Sequence, residues 1–414
     1  MKTLTICGGK PLRGEVAVSG FKNAALPVLF ATILTKDISI IDNLPRIRDV
    51  HLALEILCAM GASVTRLGAH TVAVDTRTLS PCVAPDALVS SFRASSYLLG
   101  AELGRFGRAR AALPGGCRIG ARPLDLHVGV LEALGATVTV NDAISATAER
   151  LTGALIPLPG PSVGATVNAI LAAACAEGQT VIVGAAREPH IVDLANFLNS
   201  AGALILGAGS PRITVQGVGK LHGTHFRLMP DMIEAGTFLT AVGAAGGEIL
   251  LHGACTRHLD SVIRALRDMG MIVKEEGRAL LAARRGGLAP FRLVARPYPG
   301  FPTDMHPQMV ALATGAEGIS TLRDCVFPDR FAYADELFGM GANVRYRNGE
   351  VTVCGQPLHA ATVTARDLRA GAALAVAALG TAGRTAILNA GMLDRGYESF
   401  AKKMRMLGAD VEET

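Results

Sequence analysis

Tryptophan is absent from this 414-residue chain and aromatic side chains make up only 4% of it, so a surface that stacks on nucleic-acid bases is not built here. Charge is scarce as well. Acidic and basic residues together account for 18%, and 40 basic against 35 acidic leave +5, too mild and dispersed for a polyanion footprint but suited to small anionic ligands. The eight cysteines, at 7, 58, 82, 117, 175, 255, 325 and 354, contain no Cys-x-x-Cys pair, so neither a thiolate metal cluster nor a disulfide framework is expected; reduced thiols in a cytosol are. No apolar segment of signal-peptide length opens the chain. The longest uncharged runs, such as 370–383, fall short of the ~20 residues of a membrane span. Low-complexity tracts are missing, as are the phosphate-loop, serine-hydrolase and zincin motifs, and Gly207-Ala208-Gly209 runs into Ser210-Pro211 and fails the dinucleotide fingerprint.

What is present is repetition. The length calls for two cores, and a phrase of apolar helix end, glycine and β-branched residues recurs at Gly61, Gly135, Gly202, Gly270, Gly341 and Gly408, spaced by 74, 67, 68, 71 and 67 residues. Each copy reads as a helix stopped by a left-handed glycine and followed by a strand. In phase with it, a polar start precedes a run of small and apolar residues at Lys22, Arg93, Ser162, Glu234, Thr303 and Asp367. Runs such as 165–176 and 370–379 are apolar on every side, which on a helix means burial all round, so sheets must surround these helices. Six units of about 70 residues, three to a core, follow, with a break near 218–230.

The polar helix starts carry the functional signal. Unpaired N–H groups and a partial positive charge make a helix N-terminus an anion site, and Lys22, Arg93 and Arg369 strengthen the field if the starts converge. Asp304 is then a carboxylate among cations; the plainer reading is that Asp304 and Asp367 cap their helices. The segment Leu113–Pro123 is rich in glycine and sets Cys117 near Arg118 and Arg122, which poises a thiol for acid–base or covalent chemistry. Cys58, Cys175 and Cys354 read as inert core residues. His127, His190 and His258 read as local hydrogen-bonding residues, and no metal site is expected.

The segments Ser19–Pro27, Phe92–Ser95, Pro114–Asp125, Pro161–Thr166, Ala186–Pro189, Ile233–Phe238, Pro299–Met305, Asp367–Ala370 and Asp394–Glu398 resemble, in order and over the whole length, the enolpyruvyl transferases that act on UDP-N-acetylglucosamine. The resemblance implies an α/β (α+β) fold of two inside-out, barrel-like domains, each of three pseudo-repeated units. It places the domains at 22–228 and at 1–21 plus 229–414, closing over substrates between them. It implies transfer of the enolpyruvyl group of phosphoenolpyruvate to the sugar 3-hydroxyl with release of phosphate, the first committed step of peptidoglycan precursor synthesis, in the cytoplasm and without a cofactor. The catalytic residues it implies are Cys117, as proton donor and adduct-forming thiol, Asp304, as base or hydroxyl-orienting group, Lys22 and Arg395. Lys22, Arg122 and Arg395 hold phosphoenolpyruvate, and Asp367 and Arg369 shape the intermediate site. The UDP-sugar is met by Asn23, Arg93, the segment Arg122, Pro123, Leu124, Asp125 and Leu126, the segment Gly160, Pro161, Ser162 and Val163, Asp304 and Val326. Met232, Met392 and His190 depart from the family pattern, where Arg, His and Glu are usual. The partners expected are these two small molecules, with no nucleic acid or membrane and a monomeric chain. The alternatives are a paralogue acting on another nucleotide and an inactive regulator that binds UDP-sugars.

Overall fold

A computed structural model describes residues 2–81, 84–113, 115 and 123–414. Cys117 and Arg122 lie outside the described residues. The chain divides into two compact units, one of residues 2–19 and 230–414, the other of the described part of 20–229.

Both units follow one grammar. A buried helix leads to a strand, an amphipathic helix follows, a glycine stops it, and two antiparallel strands complete a sheet. In the 20–229 unit the buried helices are Lys22–Thr35, Leu98–Phe106 and Val163–Ala173; in the other they are Met232–Ala245, His306–Ala313 and Leu368–Gly380. Their small residues allow close contact. The N–H of Gly100 donates to Asn168 Oδ1 at 2.7 Å, and an added Cβ there would meet the Asn168 carbonyl oxygen at 2.7 Å. The six phrase glycines that end the amphipathic helices all have positive φ, from 81° to 101°, a region L-residues rarely adopt.

Among the described residues the strands form six sheets, five of four strands and one of three. In each four-stranded sheet one edge strand runs parallel to its neighbour and comes from a different repeat, as Arg292–Ala295 pairs with Ile319–Asp324 and Thr362–Thr364 with Gly383–Leu388. The same exchange closes each unit on itself. His225–Arg227 returns to Ile38–Asp42, and Leu12–Ala17 lies along Gly247–His252. The sixth repeat borrows its hairpin partner from the other end of the chain: Leu4–Gly8 pairs antiparallel with both Gly383–Leu388 and Asp410–Glu413.

Helices wrapped by sheets are therefore what the all-round apolar runs produce. Two local readings change. The fourth helix starts at Met232 rather than at Glu234, capped by Asp231, whose carboxylate accepts from the N–H groups of Ile233 and Glu234 at 2.7 and 3.0 Å. Cys58 is exposed on the helix Arg48–Ala59, because it falls on the outer face, while burial pushes the Cys175 thiol up to about 11.

Candidate functional site

In the 230–414 unit the polar ends of two buried helices meet at one carboxylate. Asp304, in a short 3-10 turn before His306–Ala313, receives Arg330 at 2.8 Å on one oxygen and Arg369 at 2.9 Å on the other. Both arginines are buried, and Asp304 keeps 24% of its side-chain exposure. The guanidinium groups outweigh the desolvation of the carboxyl and hold it well below the usual carboxylate range. Asp304 is thus no helix cap, and it makes a weak proton acceptor but a fixed hydrogen-bond acceptor. Asp367 does cap its helix, accepting from the N–H groups of Arg369 and Ala370 at 2.8 and 3.0 Å. That cap fixes the first turn from which the Arg369 side chain reaches Asp304 and, at 3.2 Å, the Tyr397 hydroxyl.

Around this pair the packing is polar, with Gln308 Oε1 and Arg330 Nε buried without a hydrogen-bond partner among the described residues. Tyr397 Oη and Thr237 Oγ1 are 2.9 Å apart, and Gln308 donates to both. Lys403 pairs with the buried Glu234 at 2.8 Å, and Glu234 also accepts from the N–H of Ser19 at 2.6 Å. Val326 follows the strand Ile319–Asp324, its N–H donating to Asp324 at 2.8 Å. Arg395 ends a 3-10 segment, Ala390–Arg395, and is half-buried. Its neighbour Asp394 pairs with Lys2 at 2.7 Å.

In the 20–229 unit Lys22 opens the helix Lys22–Thr35 and pairs at 2.7 Å with Asp49, a buried acid in the first turn of Arg48–Ala59. Asn23 follows it, half-buried. Arg93 begins the 3-10 turn Arg93–Tyr97 and donates to the Pro123 carbonyl at 3.3 Å. Pro123 and Leu124 precede the helix Asp125–Ala133, which holds Asp125 and Leu126, and Gly160 and Pro161 precede Ser162, which caps Val163–Ala173 by accepting from the N–H of Ala165 at 3.3 Å.

One buried side chain ties these three starts together. Asn168 takes the N–H of Gly100 on its oxygen, while its amide nitrogen donates to the Ser96 carbonyl at 3.1 Å and lies 2.8 Å from His127 Nδ1. The turns carrying Arg93, Pro123–Leu126 and Gly160–Val163 are thereby held in one register.

Each unit thus gathers its own share of the expected residues: Asp304, Val326, Asp367 and Arg369 in one, and Lys22, Arg93, Pro123 and Ser162 in the other. Sequence reasoning passes over Arg330 and Asp49. Arg330 sits in a Pro-Asp-Arg turn that resembles surface, and Asp49 in a helical first turn where an acid is ordinary. Only the tertiary pairing distinguishes them. Among the described residues no group of three His, Cys, Asp or Glu could hold a metal, and no helix is long and apolar enough to cross a membrane.

A family described as EPSP synthase (3-phosphoshikimate 1-carboxyvinyltransferase) matches residues 6–404. The chain belongs to this family of enolpyruvyl transferases. It is 44% identical to UDP-N-acetylglucosamine 1-carboxyvinyltransferase 3 of Caldanaerobacter subterraneus and 46% identical to UDP-N-acetylglucosamine 1-carboxyvinyltransferase of Nitratidesulfovibrio vulgaris, over 99% of both chains in each case. The crystal structure of the enolpyruvyl transferase NikO from Streptomyces tendae superimposes with a TM-score of 0.90 at 30% identity, covering 100% of this chain and 99% of that one. The inside-out α/β architecture is that of the enolpyruvyl transferases.

Proposed function

We propose that this enolpyruvyl transferase moves the enolpyruvyl group of phosphoenolpyruvate to the 3-hydroxyl of UDP-N-acetylglucosamine and releases phosphate, the first committed step of peptidoglycan precursor synthesis. The observation that carries the reading is the 44–46% identity, end to end, to relatives that bear that activity's name. The chemistry adds the acceptor oxygen to C2 of the enolpyruvyl group while C3 takes a proton, then expels phosphate as C3 gives a proton up.

Each step sets a demand that a candidate residue meets. Protonation of C3 calls for an acid, the role assigned to Cys117. Phosphate and carboxylate call for fixed cations, the role assigned to Lys22, Arg122 and Arg395. The acceptor hydroxyl calls for an oriented oxygen, and a carboxylate clamped by Arg330 and Arg369 offers one whose direction is set before substrate arrives. With its basicity suppressed, Asp304 aims the hydroxyl more than it deprotonates it. Asn23, Arg93, Pro123–Leu126, Gly160–Val163 and Val326 meet the UDP-sugar, and Asp367 holds the turn that carries Arg369. The chain works in the cytoplasm, as a monomer.

Phosphate release from phosphoenolpyruvate, measured over a panel of UDP-N-acetylglucosamine, UMP and shikimate 3-phosphate, tests the reading. Release is expected with UDP-N-acetylglucosamine and is expected to disappear in Cys117→Ser. Turnover with UMP or shikimate 3-phosphate and none with UDP-N-acetylglucosamine rejects the acceptor.

A further inference from the structure

Asp324 ends the strand Ile319–Asp324, and its side chain is fully buried. Among the described residues no lysine or arginine pairs with it. Four donors replace one: Oδ1 accepts from the N–H groups of Val326 and Phe327 at 2.8 and 2.9 Å, and Oδ2 accepts from Thr303 Oγ1 at 2.6 Å and His306 Nδ1 at 3.1 Å. These bonds hold the carboxyl below its usual range in spite of burial. A buried carboxylate satisfied only by neutral donors is costly to keep unless each donor is fixed.

Each donor is fixed. His306 is wholly buried, with its other ring nitrogen 2.7 Å from the Tyr333 hydroxyl. Burial lowers the affinity of this imidazole for a second proton, so Nδ1 carries the hydrogen given to Asp324 and Nε2 accepts from Tyr333. The rings of Phe331 and Tyr333 stand edge-on to it, with centroids 5.1 and 5.5 Å away. Thr303 donates to Asp324 and accepts from Arg330 at 3.2 Å, and the same Arg330 nitrogen holds Asp304 at 2.8 Å. The relay Tyr333, His306, Asp324, Thr303, Arg330 therefore ends on the carboxylate assigned to the acceptor hydroxyl. The other oxygen of Asp324 sets the turn that carries Val326.

We infer that Asp324 is a positioning residue for the acceptor: through Thr303 and the 325–327 turn it keeps Asp304 and Val326 in one register, with His306 and Tyr333 as its backing. The inference rests on the acceptor role proposed above for Asp304. Neither Asp324 nor His306 touches substrate in this scheme.

Steady-state kinetics of phosphate release, with each substrate varied, test it in Thr303→Val, Thr303→Ser and Asp324→Asn. Valine keeps the shape of threonine and loses the donor, so kcat is expected to fall about tenfold, the worth of one hydrogen bond of about 1.4 kcal/mol, with KM for phosphoenolpyruvate within about threefold of the parent. Serine restores the donor and is expected to recover kcat to within about threefold. Asparagine at 324 still caps the turn with its oxygen but turns an N–H₂ toward Thr303 and His306, and is expected to lower kcat and raise KM for the acceptor. A Thr303→Val enzyme with parental kcat, or a Thr303→Ser enzyme as slow as Thr303→Val, overturns the inference, and the Thr303 pair decides it even where Asp324→Asn folds poorly. If the parent turns over another acceptor of the panel instead of UDP-N-acetylglucosamine, the function proposed above fails while the same criteria, applied with that acceptor, still judge Asp324. A parent silent on every acceptor overturns both.

Discussion

At the scale of single residues, charges are placed where they cannot relax, and pH exposes them. Asp304 bears its charge for two buried guanidinium groups, so Asp304→Asn removes the ion-pair partner that both share, a change worth about 3 kcal/mol of stability or more. Because the folded carboxyl titrates below the unfolded value of about 4, its stabilisation is present above that value and lost as the solution is acidified. Urea unfolding of parent and Asp304→Asn should accordingly show a gap that is full at neutral pH and narrows toward pH 3. Glu102 has the opposite sign. It is buried in Leu98–Phe106, one oxygen accepts from the N–H of Arg110 at 3.2 Å, the other has no partner, and burial pushes it up to about 8. The folded state then holds a proton that the unfolded chain releases above about 4.5, so the parent loses up to about 1.4 kcal/mol per pH unit between those values. Glu102→Gln cannot titrate and should unfold at higher urea than the parent, by a margin that grows from pH 5 to pH 8. Neither setting is visible in the sequence, where Asp304 stands in a sound capping position and Glu102 in an ordinary helix; both depend on which distant groups arrive.

Elements were more legible than residues because their signals are local. Six glycines at the ends of six amphipathic helices were readable as left-handed stops, and all six have that conformation. Runs apolar on every side could only be buried helices, and they are. The sequence does not say which helical glycines are needed for contact and which only weaken a helix, and the structure makes that a matched pair. Gly100 faces Asn168, so Gly100→Ala drives a methyl group against backbone and should cost about 1–3 kcal/mol in urea unfolding. Gly129, on the exposed side of Asp125–Ala133, would find nothing within 4 Å of an added Cβ. There the gain in helix propensity is unopposed, and Gly129→Ala should stabilise by about 0.5–1 kcal/mol. Equal effects of one sign from the two substitutions would contradict the packing described for Gly100.

For the molecule as a whole, the exchange that gives five of the six described sheets an edge strand from a different repeat makes the order of the chain matter less than the set of strand pairings. Residues 4–8 and 12–17 carry no local mark of the half they join, which the family resemblance implies and periodicity does not; long-range pairings tie them to the unit that also holds 230–414. Leu4–Gly8 is an interior strand, bonded on both sides, and the N–H of Thr3 meets the Thr414 carbonyl at 2.7 Å while the N–H of Thr414 meets the Thr3 carbonyl at 3.0 Å. Deleting residues 1–8 therefore strips an interior strand from its sheet and should unfold the 230–414 unit, read as loss of protease resistance. Covalent continuity at that strand is another matter. A permuted chain that joins Thr414 to Met1 through a short glycine linker and opens between Gly286 and Gly287, in an exposed loop, keeps every pairing of the sheet. It should fold, with a melting temperature within a few degrees of the parent, and should release phosphate from phosphoenolpyruvate. If the permuted chain behaved like the deletion, the position of the termini, and not the closed set of strand pairings, would be what holds this unit together.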